Sequence, residues 1–125
     1  MQIRRADAMG MCFGVRDALA AMQALDEPDQ VTIHGELVHN EVVLRDPAAR
    51  GFRQQSETGR GAELADTERV LVTAHGISQR ERARLEAAGK KLIDTTCPLV
   101  HRAHEAAQLL QADGRRVVVL GRREH

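Results

Sequence analysis

Two cysteines and six histidines are the residues of this 125-residue chain best suited to chemistry. Cys97 lies in Asp94-Thr95-Thr96-Cys97-Pro98-Leu99-Val100. The apolar pair Leu92-Ile93 leads in, and Leu99, Ala103, Ala106 and Leu110 lead out at the spacing of one helical face. Thr96 is placed to cap that helix, and Pro98 suits its first turn, where a missing N–H costs nothing. Cys97 is therefore expected where a strand gives way to a helix N-terminus. Unpaired amides and the positive end of the dipole there favour a thiolate, the form that binds metal or attacks. Cys12 stands between two glycines, in Gly10-Met11-Cys12-Phe13-Gly14-Val15, which permit a tight turn and a close backbone approach. The plain alternative for either cysteine is a small buried hydrophobe.

The elements that must position these groups alternate along the chain. Strands are expected at residues 1–6, 31–34, 70–73, 91–94 and 117–120. Helices are expected through Val15, Ala18, Leu19 and Met22, and from an Asn40 cap through Val42, Val43 and Leu44 to near Gly51. A third runs from the capping box Ser78-Gln79-Arg80-Glu81 to Gly89, and the Cys97 helix runs to about Gly114. Residues 53–67 read as a surface loop, with room for a short edge strand around Phe52. This alternation predicts an α/β fold, a mostly parallel sheet with flanking helices.

On that plan Cys12, His39, His75, Cys97 and His125 each follow a strand. They share the carboxyl edge, where open α/β sheets bind ligands. Three arrangements stay open from the residues alone. One is a zinc site of Cys12, Cys97 and two histidines, which the lack of any C-x-x-C pair disfavours. Another is an iron–sulfur cluster on Cys12 and Cys97 with at least one further thiolate from elsewhere, leaving the histidines for an anionic ligand. The last is two core cysteines with scattered loop histidines. A stand-alone metal- or anion-binding module without redox activity would use the same edge. His101 and His104 read as surface residues sharing a helical face, and His34 as a packing residue. Glu36 is a possible acid or base without an evident partner. Gly10 to Gly14 is no phosphate loop, because no Lys-Ser/Thr follows.

Composition removes other classes. Eighteen basic and eighteen acidic residues cancel, and Trp and Tyr are absent. Neither a nucleic-acid nor a membrane surface is thus the expected partner. No apolar run reaches membrane length and no signal-peptide core opens the chain, so a cytoplasmic protein with reduced cysteines is expected.

Four stretches occur together in order: Gly10-Met11-Cys12-Phe13-Gly14-Val15, Gly35-Glu36-Leu37-Val38-His39-Asn40, Thr73-Ala74-His75-Gly76 and Asp94-Thr95-Thr96-Cys97-Pro98-Leu99-Val100. They resemble the N-terminal portion of the LytB family of 4-hydroxy-3-methylbut-2-enyl diphosphate reductases. The resemblance implies an oxygen-sensitive enzyme of the non-mevalonate isoprenoid pathway, built from three similar α/β units around a [4Fe–4S] cluster. Residues 1–96 would be the first unit, and residues 97–125 the opening helix and strand of a second. Cys12 and Cys97 match two of the three cluster ligands. His39, His75 and His125 match histidines that contact the substrate. The substrate would be an allylic diphosphate, and electrons would come from a donor such as ferredoxin or flavodoxin. The family's proton-relay glutamate and third cysteine lie beyond His125. The 125 residues alone are accordingly expected to lack activity without the remaining C-terminal portion.

Overall fold

The computed structural model describes all residues except 1, 2, 6, 8, 9, 38–40, 57–60 and 122–125, and the backbone alone for 41–44. β-Branched and apolar residues make β1 (Val31–His34), β3 (Arg69–Val72) and the centre of β4 (Lys91–Asp94), while β2 (Arg53–Gln55) is polar. They form one four-stranded sheet in the order β2-β1-β3-β4, every pairing parallel. Between and around them lie α1 (Phe13–Gln23), α2 (Glu41–Ala49), α3 (Gln79–Ala87) and α4 (Pro98–Ala112). A parallel sheet needs cover on both faces, and the central strands are buried accordingly.

Alternation along the strands divides the core in two. Val31, Ile33 and Leu71 point to one face, where Met22 of α1, Leu37 and Phe52 close over them. Val70 points to the other, against Ala65 and Leu85 of α3. That second face is partly polar at β1. Thr32 shares a hydrogen bond of 2.7 Å with Thr67, and His34 is fully buried. Ser78 caps α3 by accepting from the Glu81 amide at 3.1 Å, as the capping box requires.

Two expected strands are absent among the described residues. Residues 3–5 and 7 carry no ladder, and neither do residues 117–120. The latter are apolar but have no neighbouring strand among the described residues to bond. Val119 is 87% exposed and Leu120 93%. The fourth strand is instead β2, directly after Phe52, paired with β1 at Thr32↔Arg53 and Ile33↔Gln54. Helix α4 is likewise bare, with no buried residue and with Leu99, Leu109 and Leu110 exposed.

Candidate functional site

The carboxyl ends of β3 and β4 are stitched to each other just before Cys97. The Thr95 amide and hydroxyl both donate to the Val72 carbonyl, at 3.1 and 2.6 Å, and the Cys97 amide donates to the Ala74 carbonyl at 3.0 Å. Asp94 sets the turn itself: its Oδ1 accepts from the Thr96 amide at 2.9 Å and from the Thr96 hydroxyl at 2.5 Å, while Oδ2 pairs with Arg82 of α3. Burial pushes the Asp94 carboxyl up, but the Thr96 hydrogen bonds and Arg82 outweigh it and hold it below the usual range. The Thr96 hydroxyl is therefore not the helix cap that its position promised. An ionised acceptor two residues back captures it in an Asx-type turn. Cys97 is the N-cap of α4, its carbonyl accepting from the Val100 and His101 amides at 2.8 and 3.1 Å, and its thiol makes no capping bond.

Cys12 occupies the same position on α1. It is the N-cap, exposed, with its carbonyl bonded to the Arg16 amide at 3.0 Å and its thiol uncommitted. No described residue before it belongs to a strand, so Cys12 reaches the rim without one, contrary to the expected order. Gly14 brings it there. A Cβ on Gly14 would lie 2.7 Å from Cys97 Sγ and 2.8 Å from Cys97 Cβ, so the first turn of α1 rests directly on that side chain. Two residues of chain span at most about 7 Å, which keeps Cys12 beside Cys97. A cleft of about 280 Å³ runs along this contact, lined by Gly14, Asp17, Thr95, Thr96, Cys97 and others.

His75 stands exposed in the turn that leaves β3. That turn closes through the Gly76 amide donating to Thr73 at 2.9 Å, with Gly76 at φ +74°. A Cβ on Gly76 would come within 2.9 Å of Thr96 Cγ2, so the His75 turn abuts the residue preceding Cys97. Thr73 Oγ1 and His34 Nε2 are buried without a hydrogen bond, and both sit at the carboxyl end of a strand. Unsatisfied buried polar atoms are rare and tend to gather where function needs them.

The structure thus brings Cys12, Cys97 and His75 to one rim. His39 and His125 lie outside the described residues. Among the described residues no three His, Cys, Asp or Glu side chains are grouped to hold a metal ion by themselves. His101 is exposed, 3.9 Å from Asp94, and with His104, Arg82 and Glu105 lines a polar cleft of about 90 Å³. Asp94, Thr95 and the close contacts of Gly14 and Gly76 were not singled out from sequence. The Asp-x-Thr spacing of an Asx turn was the one local signal for Asp94.

Parallel strands ending at one rim, with two cap-position thiols and an exposed imidazole turn nearby, make this an α/β protein of the open-sheet class, in which ligands bind at the carboxyl edge. The chain belongs to the LytB protein family, which it matches over residues 3–125. It is similar to a 4-hydroxy-3-methylbut-2-enyl diphosphate reductase of Pseudothermotoga lettingae, at 35% identity over 126 positions covering 100% of this chain and 45% of that relative. A Pseudomonas fluorescens protein of the same name is 33% identical over 129 positions, covering 100% of this chain and 69% of the relative. Among solved structures, an (E)-4-hydroxy-3-methyl-but-2-enyl diphosphate reductase, the terminal enzyme of the non-mevalonate pathway, superimposes with a TM-score of 0.74 at 33% identity, covering 93% of this chain and 41% of that one. An E-1-hydroxy-2-methyl-but-2-enyl-4-diphosphate reductase from Plasmodium falciparum gives 0.81 at 26%, covering 95% and 37%. The chain spans less than half the length of most relatives it matches. No helix among the described residues is long and apolar enough to cross a membrane.

Proposed function

We propose that this chain supplies the N-terminal unit of a 4-hydroxy-3-methylbut-2-enyl diphosphate reductase, which removes the allylic hydroxyl of its substrate reductively to give isopentenyl and dimethylallyl diphosphates. The observation that carries the reading is the seating of Gly14 on Cys97 Sγ, which sets both free cysteines at one rim beside the His75 turn. The donor set suits a [4Fe–4S] cluster: two thiols at helix N-caps, neither used in capping, approached by a glycine rather than a side chain. Cys12 and Cys97 would hold it, with a third thiolate from a further portion of the protein. When bound, such a cluster supplies electrons and a Lewis-acidic iron.

The chain's own residues then act on the substrate's anionic end. His75, with His39 and His125, binds diphosphate or hydroxyl oxygens, and protonated imidazoles do so through charge-assisted hydrogen bonds. Gly76 keeps the His75 turn close to Thr96. Asp94 and Thr95 hold the Cys97 turn against β3. Residues 97–125 would open the second unit. The exposed leucines of α4 supply its packing face, and residues 117–120 its first strand. The electron donor would be a ferredoxin- or flavodoxin-type protein, and the compartment the cytoplasm.

Anaerobic reconstitution with iron and sulfide tests the reading. A brown cluster that is labile in the 125-residue chain and persists once the C-terminal portion of a relative is added supports it. Air-stable stoichiometric zinc would make the chain a metal-binding module instead.

A further inference from the structure

His75 and Cys97 are held in register from both sides. The residue before His75 makes one contact: the Ala74 carbonyl accepts from the Cys97 amide at 3.0 Å. The residue after His75 makes the other. Gly76 faces Thr96 so closely that a Cβ on the glycine would lie 2.9 Å from Thr96 Cγ2 and 3.4 Å from Thr96 Oγ1. Val100 Cγ1, in the first turn of α4, comes next at 3.5 Å. No Cβ fits there, and Gly76 also takes a φ of +74° that other residues rarely adopt.

Thr96 meets that glycine with a methyl group whose place is fixed. Its amide and hydroxyl both donate to Asp94 Oδ1, at 2.9 and 2.5 Å. Asp94 is itself held by Arg82 through Oδ2. A β-branched side chain is stiff at its first torsion, so fixing the hydroxyl on Asp94 also fixes the methyl. Burial of Thr96 leaves that methyl no free space to turn into. Serine at this position would keep both bonds to Asp94 and leave a methyl-sized gap under Gly76.

We infer that Thr96 is a positioning residue: its methyl, aimed by Asp94, is the spacer that sets how far the His75 turn stands from Cys97. Under the proposed function these two residues are the imidazole that meets the substrate's oxygens and a thiolate that holds the cluster. The consequence for substrate therefore rests on that reading, whereas the contact between Thr96 and Gly76 does not.

Urea denaturation of the 125-residue chain tests the contact. Gly76→Ala is expected to lower the folding equilibrium constant about a hundredfold, from the strained φ and the overlap with Thr96 together. In a Thr96→Ser background only the strained φ remains, so the same substitution is expected to cost about tenfold less. An equal cost in both backgrounds would overturn the spacer.

The positioning role is read in the completed enzyme, this chain joined to the C-terminal portion of a relative. Thr96→Ser alone is expected to raise KM about tenfold, the scale of one misplaced charge-assisted bond, with iron content and cluster absorbance unchanged. An unchanged KM, or a fall in kcat that merely follows loss of cluster, would overturn the role, and this variant decides it even if neither alanine variant folds. A completed wild-type enzyme without turnover would refute the functional reading instead, and the stability cycle would still decide the contact.

Discussion

Gly14 and Cys97 touch: a methyl group on the glycine would sit 2.7 Å from the cysteine sulfur. That distance is below any ordinary carbon–sulfur contact, and the atoms behind Cys97 are backbone bonded to Ala74 rather than a flexible side chain. Gly14→Ala is accordingly expected to force α1 and Cys97 apart and to cost about 1–3 kcal/mol, as overpacking does. Urea denaturation measures the loss, and stability equal to wild type would show that the helix can shift freely. The same variant is expected to lose cluster uptake in a completed enzyme, since the two thiols would no longer share a rim.

The acid limb of stability should report on Asp94 and Glu81. Both carboxyls are held below their ordinary values in the folded chain, Asp94 by Thr96 and Arg82 against the opposing effect of burial, Glu81 by Arg84. A depressed folded value means that the stability each contributes is present above the unfolded value, about 4, and is lost as pH falls through the lower folded value. Thermal melts should therefore drop steadily below about pH 4. In Asp94→Asn that drop is expected to be shallower, with a lower melting temperature at pH 7. A variant as pH-sensitive as wild type would exclude Asp94 from the effect.

Leu85 and Leu109 should separate core from bare surface. Leu85 is fully buried against Val70 and Ala65, and Leu109 is 71% exposed. Leu85→Ala is expected to cost about 2–5 kcal/mol by leaving a cavity. Leu109→Ala is expected to stay within about 0.5 kcal/mol of wild type in this chain. If the proposed second unit packs on α4, the same Leu109→Ala change should weaken association with a C-terminal portion supplied separately, measured by titration calorimetry.

The two thiols should differ in reactivity in the cluster-free chain. Cys12 is exposed and Cys97 half-buried under Gly14. Alkylation followed by mass spectrometry is expected to label Cys12 first. In a reconstituted enzyme both should be protected together, and Cys12→Ser and Cys97→Ser should abolish cluster uptake to a similar degree.

Much of this arrangement was legible in the residues. Runs such as Val70-Leu71-Val72 and the capping box at Ser78 state their structures locally, because periodicity and capping act over a few neighbouring residues. The strand at residues 117–120 was misread for the same reason. Its letters are those of a strand, but a ladder is made by a partner, and none of the described residues provides one. Arg53-Gln54-Gln55 forms the short edge strand allowed for around Phe52, its polar letters drawn into the sheet edge by pairing with β1.

The sequence by itself determined an alternating α/β chain with Cys97 at a helix start, His75 in a turn and a family signature spread over four stretches. Only the tertiary structure decided which groups meet. That Gly14 presses on Cys97, that Arg82 pairs with Asp94, and that His34 lies between Gln55 and Glu81 all depend on residues far apart in sequence. The physical reason is that helices and turns are written in short-range torsional and hydrogen-bonding preferences, whereas contacts between elements are selected by the packing of the whole sheet.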